Sequence, residues 1–240
     1  MSDLVESSAV QASVQAEQFG ASWVWTDGSI SPADALDVLR QGSEGDRSDM
    51  IRVGSGGRGS AWRLTVGGKP AVLRHYRRGG MMAHINRDQY LWQGPTLTRP
   101  YREFMVMLGL SGQGLLVPKP IAAMAKRTGL FYRAAILTRY VDHRGALCAV
   151  DDQAAWRSAG AAVARLHDAG VWHADLNVNN ILVDELDQAW LIDFDRAKTG
   201  VSERSRLQGN LSRLLRSVRK VCPELEQRLW PMLLEGYAGK

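Results

Sequence analysis

Apolar residues recur with two different periods along the chain, and the change between them falls near the middle. In the first half, short apolar runs bounded by glycine or proline predict strands at 50–53, 61–66, 71–74, 117–120 and 130–138. Gly67 and Gly68 separate the second and third runs, which predicts a tight turn within an antiparallel meander. The first twenty residues show no strong period and carry no visible chemistry.

Helical spacing of alanine and leucine dominates the second half, most clearly over 154–169. An earlier helix is predicted from Pro32, because proline fits the first turn of a helix. Another is predicted over 99–108, and the mixed stretch 81–93 is expected to contain a helical piece. Together the two halves predict an α+β fold with an antiparallel sheet first and a mainly helical part after it.

Composition places the chain among ordinary globular proteins: 240 residues, 45% hydrophobic and 23% charged. No segment approaches the roughly 18 to 20 uncharged apolar residues that a membrane span needs, and the N-terminus lacks a signal-peptide pattern. We therefore expect the chain to stay in the cytosol. Its two cysteines, Cys148 and Cys222, are too few for a disulfide framework or a zinc site and are expected to be buried, unreactive thiols.

The net charge of +5 is modest, but the basic residues are clustered. The first cluster is Arg74, His75, Tyr76, Arg77 and Arg78, which follows a predicted strand and is the better candidate for contact with an anion. The second includes Arg204, Arg206, Arg213, Arg216, Arg219 and Lys220. We interpret the later members of the second cluster as a solvated helix face, because Leu211, Leu214, Leu215 and Val218 recur with helical spacing and would face the core.

The segment His-Ala-Asp-Leu-Asn-Val-Asn-Asn, residues 173–180, carries the chemistry of phosphoryl transfer. Asp175 is placed to align an acceptor hydroxyl and to take its proton. The predicted hairpin of 181–183 and 189–192 would bring Asn180 and Asp193 together as magnesium ligands, since an amide oxygen and a carboxylate suit that ion. His173 is expected to organise the loop through hydrogen bonds rather than to titrate.

This segment, with Asp193-Phe194-Asp195, resembles the catalytic loop and magnesium motif of the eukaryotic-type protein kinase superfamily. The resemblance covers about residues 50 to 200. It implies a bilobal kinase-like fold that uses ATP and magnesium, with a variable extension at 1–48, an N-lobe at 49–138 and a C-lobe at 139–240.

The upstream elements of the resemblance concern the nucleotide. Gly54, Gly56 and Gly59 follow the pattern of the kinase loop that covers the phosphates. Arg74 stands where kinases have a phosphate-binding lysine, and Glu103 is expected to form an ion pair with it. Arginine keeps the charge but changes the geometry, so a non-catalytic kinase-like binding module stays an alternative. Lys69 is the other cation nearby, and its place beside a Gly-Gly turn favours exposure.

Departures from the protein-kinase pattern favour a small, constitutively formed acceptor site. Ala174 replaces the arginine that pairs with a phosphorylated activation loop, which argues against switching of that kind. Asn177 replaces a lysine near the transferred group, and Asp195 replaces a glycine. Only about 45 residues follow Asp195, fewer than a peptide-binding lobe needs.

These departures are similar to those of the bacterial 3-deoxy-D-manno-octulosonic acid (Kdo) kinases, which also share the segment 73–80, Leu-Arg-His-Tyr-Arg-Arg-Gly-Gly, and 210–214, Asn-Leu-Ser-Arg-Leu. The resemblance implies ATP-dependent phosphorylation of the Kdo 4-hydroxyl on a lipid A precursor, during synthesis of the lipopolysaccharide core. It further implies a peripheral position on the cytoplasmic face of the inner membrane, and no nucleic acid partner. A membrane contact could use the basic and apolar residues Arg77, Arg78, Met81, Met82, Arg87 and Trp92. Kinases of a core heptose and short atypical protein kinases are the alternatives.

Overall fold

The computed structural model describes residues 14–44, 50–53, 61–76 and 90–239, and divides the chain into two compact units. The N-terminal unit comprises the described residues before 109 together with 119–140. The C-terminal unit comprises 109–118 and the residues from 141 onward. Each unit has its own sheet and helices, which gives the α+β fold class that the sequence predicts.

The N-terminal unit is built on one antiparallel sheet. Its strands are β1 (Gln15–Phe19), β2 (Ser22–Thr26), β3 (Ile51–Val53), β4 (Ala61–Val66), β5 (Lys69–His75), β6 (Tyr90–Leu91), β7 (Pro120–Thr128) and β8 (Phe131–Arg139). They run in the order β1-β2-β7-β8-β5-β4-β3, and β6 pairs with β8. The strands predicted at 50–53, 61–66, 71–74 and 130–138 are all present, and Gly67 and Gly68 make the predicted turn, both with positive φ.

Residues 14–44 belong to this same unit. Strand β2 pairs with β7, and helix α1 (Pro32–Glu44) packs Ala35, Leu36 and Leu39 into the core beneath the sheet. Ser31 begins the helix as predicted, since its hydroxyl accepts from the Asp34 amide at 3.2 Å and donates to the Asp34 carboxylate. Strand β1 escapes prediction because nearly all of its side chains are exposed, which leaves no apolar alternation to detect.

The second helix of the chain, α2 (Arg99–Gly112), is the helix predicted over 99–108. Its apolar residues are buried, and the hydroxyl of Tyr132 accepts a hydrogen bond from the Arg99 amide at 3.0 Å. Of the helical piece predicted over 81–93, residues 81–89 lie outside the described residues. Tyr90 and Leu91 form a strand instead, because their backbone pairs with β8.

The C-terminal unit contains a small sheet and three helices. The strands are β9 (Gly145–Ala146), β10 (Ile181–Val183) and β11 (Ala189–Leu191), and β10 pairs with β11 as the predicted hairpin. The helices are α3 (Gln153–Asp168), α4 (Arg204–Val221) and α5 (Pro223–Ala238). Asp152 caps α3 by accepting from the Ala155 amide at 2.9 Å.

Two glycines allow the backbones of helices α3 and α5 to pack in direct contact. A Cβ added at Gly160 would lie 1.9 Å from the carbonyl oxygen of Leu233, and one added at Gly236 would lie 1.9 Å from that of Arg157. Any side chain at either position would therefore force the two helices apart.

Both cysteines are free thiols. Cys222 is buried, and burial raises the pKa of its thiol to about 11. Cys148 is half-buried, so the prediction of burial holds fully only for Cys222. Among the described residues, no helix has the length and apolar character needed to cross a membrane.

Candidate active site

His173 fixes the loop that the sequence singles out. Its ring is fully buried, and Nδ1 accepts a hydrogen bond from the Asp175 amide at 3.1 Å. Nε2 lies 3.0 Å from the carbonyl oxygen of Ile192, which can only accept, so Nε2 carries the proton. Burial lowers the pKa of His173, which keeps the ring neutral. The histidine organises the loop, as predicted from the sequence.

Two amide side chains hold the backbone of Asp175 in place. The Nδ2 atoms of Asn177 and Asn180 both donate to the Asp175 carbonyl oxygen, at 3.0 and 2.8 Å. Asn177 also accepts from the amide of Asn179 at 2.9 Å. The carboxylate of Asp175 takes no part in these hydrogen bonds, and the side chain is 55% exposed. A fixed backbone with an exposed carboxylate is the arrangement that a base for an incoming hydroxyl requires.

The hairpin brings the two predicted magnesium ligands to the same end. Ile181 pairs with Leu191, and the Ile192 amide donates to the Asn180 carbonyl oxygen at 3.0 Å. Asp193 follows directly, with φ of 62°, a left-handed conformation that is costly for residues other than glycine and is less so for aspartate. Since Asn180 commits Nδ2 to Asp175, its Oδ1 is the atom that can bind a cation.

One face of helix α4 contacts this loop through residues at helical spacing. Asn210 is fully buried and forms two hydrogen bonds with the backbone of His173: Oδ1 accepts from the amide at 3.0 Å, and Nδ2 donates to the carbonyl oxygen at 2.7 Å. Ser217, two turns on, accepts from the Val178 amide at 3.0 Å. The helix therefore holds the loop before and after Asp175.

Asn210 has no assigned role in the sequence interpretation, although a signal is present. It lies four residues before Leu214 and eight before Val218, both buried, so a polar residue occupies the apolar face of an amphipathic helix. A buried amide needs hydrogen-bond partners, and this position therefore predicts a polar contact.

Arg213 lies on the same side of α4, and its Nη1 is 3.6 Å from Oδ1 of Asp175. The interpretation of the second basic cluster as a solvated face holds for Arg216, Arg219 and Lys220, which are exposed, while Leu214 and Val218 are buried as expected. Arg213 is exposed too, but it forms an ion pair with the candidate base. For this arginine the interpretation was incomplete.

The segment after Asp193 is short and hydrogen-bonded along its length. Trp172 and Lys198 exchange two backbone hydrogen bonds, at 2.8 and 3.0 Å, and the Val201 amide donates to Gly170 at 2.9 Å. The ring of Phe194 packs against His173, with the ring centres 5.1 Å apart. The chain then enters α4 at Arg204.

In the N-terminal unit, Glu103 of α2 binds two partners at once. One carboxylate oxygen accepts from Arg74, which is the predicted ion pair, and the other accepts from the hydroxyl of Tyr76. The guanidinium of Arg74 also lies over the Tyr76 ring, 4.8 Å from its centre. Glu103 is 3% exposed, so both partners compensate a buried charge. The sequence interpretation names Tyr76 only as a member of the first basic cluster and does not predict its contact with Glu103.

Two members of the first basic cluster have partners within the N-terminal unit, and the prediction of an anion contact remains for its arginines. Tyr76 is buried against Glu103, and Nε2 of His75 lies 3.1 Å from the carbonyl oxygen of Leu39, so neither side chain is placed to bind an external anion. Lys69 is exposed, as expected. Other predicted residues lie outside the described part of the chain: Gly54, Gly56, Gly59, Arg77, Arg78, Met81, Met82 and Arg87.

The N-terminal unit has an antiparallel sheet with an Arg–Glu ion pair. The C-terminal unit has a fixed loop that carries Asp175, followed by a hairpin that ends at Asp-Phe-Asp. These features define the class of the protein as a kinase-like phosphotransferase. The family model described as "Lipopolysaccharide kinase (Kdo/WaaP) family" matches residues 44–237. The chain belongs to this family.

Curated relatives agree with the family model. The chain is 46% identical over 173 residues to a 3-deoxy-D-manno-octulosonic acid kinase of Stenotrophomonas maltophilia (strain K279a), covering 70% of each protein. It is 44% identical over 181 residues to proteins of the same name from Xylella fastidiosa (strain M23) and Xanthomonas campestris pv. campestris (strain B100). These two alignments cover 74% of this chain and 72% of each relative.

Proposed function

We propose that this protein transfers the γ-phosphoryl group of ATP to the 4-hydroxyl of a Kdo residue on a lipid A precursor, in synthesis of the lipopolysaccharide core. The observation that carries the proposal is the family match over residues 44–237, a range that includes Asp175 and the other residues of the site. The names of the relatives supply the acceptor sugar.

In this proposal Asp175 is the catalytic base. Its exposed carboxylate accepts a hydrogen bond from the acceptor hydroxyl and takes the proton as the new O–P bond forms. The bond between the γ-phosphorus and its bridging oxygen breaks, and ADP leaves with the electron pair. The hydrogen bonds from Asn177 and Asn180 support this role because they fix the backbone that carries the carboxylate.

Asn180 and Asp193 are proposed to hold magnesium. The donor set fits the ion: one amide oxygen and one carboxylate leave room for phosphate oxygens and water, which complete the octahedral shell that magnesium prefers. The hydrogen bond from Asn180 Nδ2 to Asp175 orients the amide oxygen away from the loop backbone. When bound, the ion would offset charge on the phosphates.

The N-terminal unit is proposed to position ATP through Arg74, held by Glu103, and through the glycine loop of Gly54, Gly56 and Gly59. Support comes from the ion pair of Arg74 with the buried carboxylate of Glu103, which fixes the position of a guanidinium, a group whose geometry suits phosphate oxygens.

A lipid-linked acceptor requires the enzyme to work at the cytoplasmic face of the inner membrane, as a peripheral protein. The hairpin-end surface, consisting of Leu91, Trp92, Arg127, Leu130 and Phe131, supports this. Leu130 is 70% and Leu91 is 56% exposed, and Arg127 lies over the Trp92 ring at 5.8 Å. Exposed leucines beside tryptophan and arginine suit an anionic membrane interface.

The proposal is tested by incubating the protein with magnesium-ATP and a Kdo-bearing lipid A precursor, and by locating one added phosphoryl group on Kdo with tandem mass spectrometry. A heptosylated acceptor and the protein alone are supplied in parallel. Transfer to heptose or to protein, with none to Kdo, would replace the proposal with one of those activities.

A further inference from the structure

The ion pair between Arg213 and Asp175 is an unusual neighbour for a residue proposed as a base. Loop geometry does not depend on it: His173, Asn177 and Asn180 already fix the backbone of Asp175, and Asn210 and Ser217 hold the loop to α4. Both members of the pair are exposed, Arg213 at 44% and Asp175 at 55%. A structural role would place the arginine against the loop backbone rather than beside an exposed carboxylate.

Arg213 also has guanidinium N–H groups available for a second partner. Within the part of the chain that the structure describes, Asp175 is the only carboxylate within ion-pair distance of it, and the 3.6 Å separation is longer than a hydrogen bond. By contrast, Arg219 on the same helix donates to Glu226 at 2.8 Å. A guanidinium has five N–H groups, so Arg213 can bind a second anion next to Asp175.

The proposed acceptor brings such an anion. Kdo is an acid whose carboxylate is attached to the anomeric ring carbon, and the 4-hydroxyl is on the same ring, two carbons away. A hydroxyl in contact with Asp175 therefore places a second negative charge close to the first, and like charges repel. A cation between them removes this penalty, and arginine matches carboxylate geometry with two parallel hydrogen bonds.

We infer that Arg213 is the residue that binds the carboxylate of the acceptor sugar, and that it selects an acidic sugar over a neutral one. This inference rests on the proposed function. In the free enzyme Arg213 faces Asp175; with acceptor bound, its N–H groups hold the sugar carboxylate while Asp175 accepts from the hydroxyl. A neutral heptose would gain nothing from this arginine.

The test compares two acceptors and four enzymes. The acceptors are the Kdo-bearing lipid A precursor and the same molecule with the Kdo carboxylate reduced to an alcohol. The enzymes are the wild type, Arg213→Gln, the conservative variant Arg213→Lys, and Arg216→Gln as a control that removes the same charge one turn further along α4. kcat and KM are measured for each acceptor, with KM for ATP as a check on the rest of the site.

The wild type is expected to lose about 10- to 100-fold in kcat/KM on the reduced acceptor, the size of one charge-assisted contact. Arg213→Gln should show the same loss on the natural acceptor and little further loss on the reduced one, mainly through KM for acceptor. Arg213→Lys should recover part of the kcat/KM that is lost on the natural acceptor, and KM for ATP should stay constant in all variants. Arg216→Gln should behave as the wild type.

Equal losses on both acceptors for Arg213→Gln would show that the arginine acts on Asp175 or on the fold, and would overturn the inference. So would an equal loss in Arg216→Gln, which would indicate general helix charge. No transfer to either acceptor by the wild type would instead overturn the proposed function, and the inference with it.

Discussion

Two clusters of candidate functional residues, one in each unit, are held by different forces. In the C-terminal unit, the loop around Asp175 is fixed by neutral groups, chiefly His173 and Asn210, which donate to and accept from backbone atoms. In the N-terminal unit, Arg74 and Tyr76 are both held by one buried charge, the carboxylate of Glu103. The first cluster is fixed by many hydrogen bonds between neutral groups, whereas the second brings a guanidinium and a hydroxyl together on one buried carboxylate.

This difference sets how each cluster responds to mutation. A neutral network loses one or two hydrogen bonds when a member is removed, and the remainder still fixes the loop. A buried carboxylate that loses its cation has a charge that burial penalises, so the damage extends beyond the missing contact. We therefore expect that the carboxylate of Asp175 can be removed with little loss of stability, whereas removal of Arg74 should change both ATP kinetics and stability.

The largest effect is expected for Asp175→Ala. Its carboxylate takes no part in holding the loop, so thermal stability should stay near that of the wild type while kcat falls by about 1,000-fold or more. Mass spectrometry of the lipid product and a thermal melt measure the two quantities. An Asp175→Ala enzyme with normal turnover would remove this residue from the role of base.

Arg74→Ala is expected to reduce kcat/KM for ATP by about 100-fold, because the phosphates lose a cation. It should also lower the melting temperature, since the buried carboxylate of Glu103 loses its ion pair with Arg74. Arg74→Lys serves as the control, because it keeps the charge near Glu103 but loses the forked geometry. Unchanged ATP kinetics in Arg74→Ala would mean that another group positions the phosphates.

Asn210→Ala removes both hydrogen bonds to the His173 backbone and leaves a buried amide and carbonyl without these partners. We expect a loss of about 2–4 kcal/mol in the free energy of unfolding and at least about a 10-fold loss in kcat. Urea unfolding and steady-state kinetics provide the measurement. Ser217→Ala, which removes one half-buried contact, should lower the free energy of unfolding by less. An equal loss of stability in the two variants would weaken the assignment of Asn210 as the main contact.

Tyr76→Phe tests the second partner of Glu103 alone. The ring and its contact with Arg74 are retained and only the hydroxyl is lost, so KM for ATP should rise by about 3- to 10-fold. No change in KM would show that Arg74 is sufficient to hold Glu103.

The smallest effect concerns the hairpin-end surface and compares exposed leucines from the two units. Leu130→Asp should weaken flotation with vesicles of mixed neutral and anionic phospholipids by about 5-fold or more. Leu186 is 79% exposed and lies in the turn between β10 and β11, so Leu186→Asp is the matched control and should float normally. Equal behaviour of the two variants would argue against the hairpin end as the membrane contact.

Sequence reasoning succeeded where the partners are close along the chain. The loop, the hairpin and the positions of Asn180 and Asp193 lie within 173–195, so their spacing alone fixes much of their geometry. The Arg74–Glu103 ion pair joins more distant residues, and it was predictable only through the resemblance to kinases.

The misses share a physical cause. Asn210 and Tyr76 act through hydrogen bonds to residues distant in sequence, which form only after helices and strands pack, and no local pattern identifies such partners. Strand β1 has almost no buried side chains, and its stability comes from backbone pairing with β2, which hydrophobic periodicity does not report. Arg213 was grouped by charge with its exposed neighbours, although its contact depends on the place of Asp175.

The glycine contact between α3 and α5 also bears on the order of folding. Gly160 precedes the loop, the hairpin and α4 in sequence, and Gly236 follows them all, so their contact closes a long loop of chain that contains every candidate catalytic residue of this unit. Contacts between residues distant in sequence form slowly because closing the intervening chain costs entropy. Docking of α5 should therefore be a late step in the folding of this unit, after the hairpin and the hydrogen-bonded loop within the enclosed segment have formed.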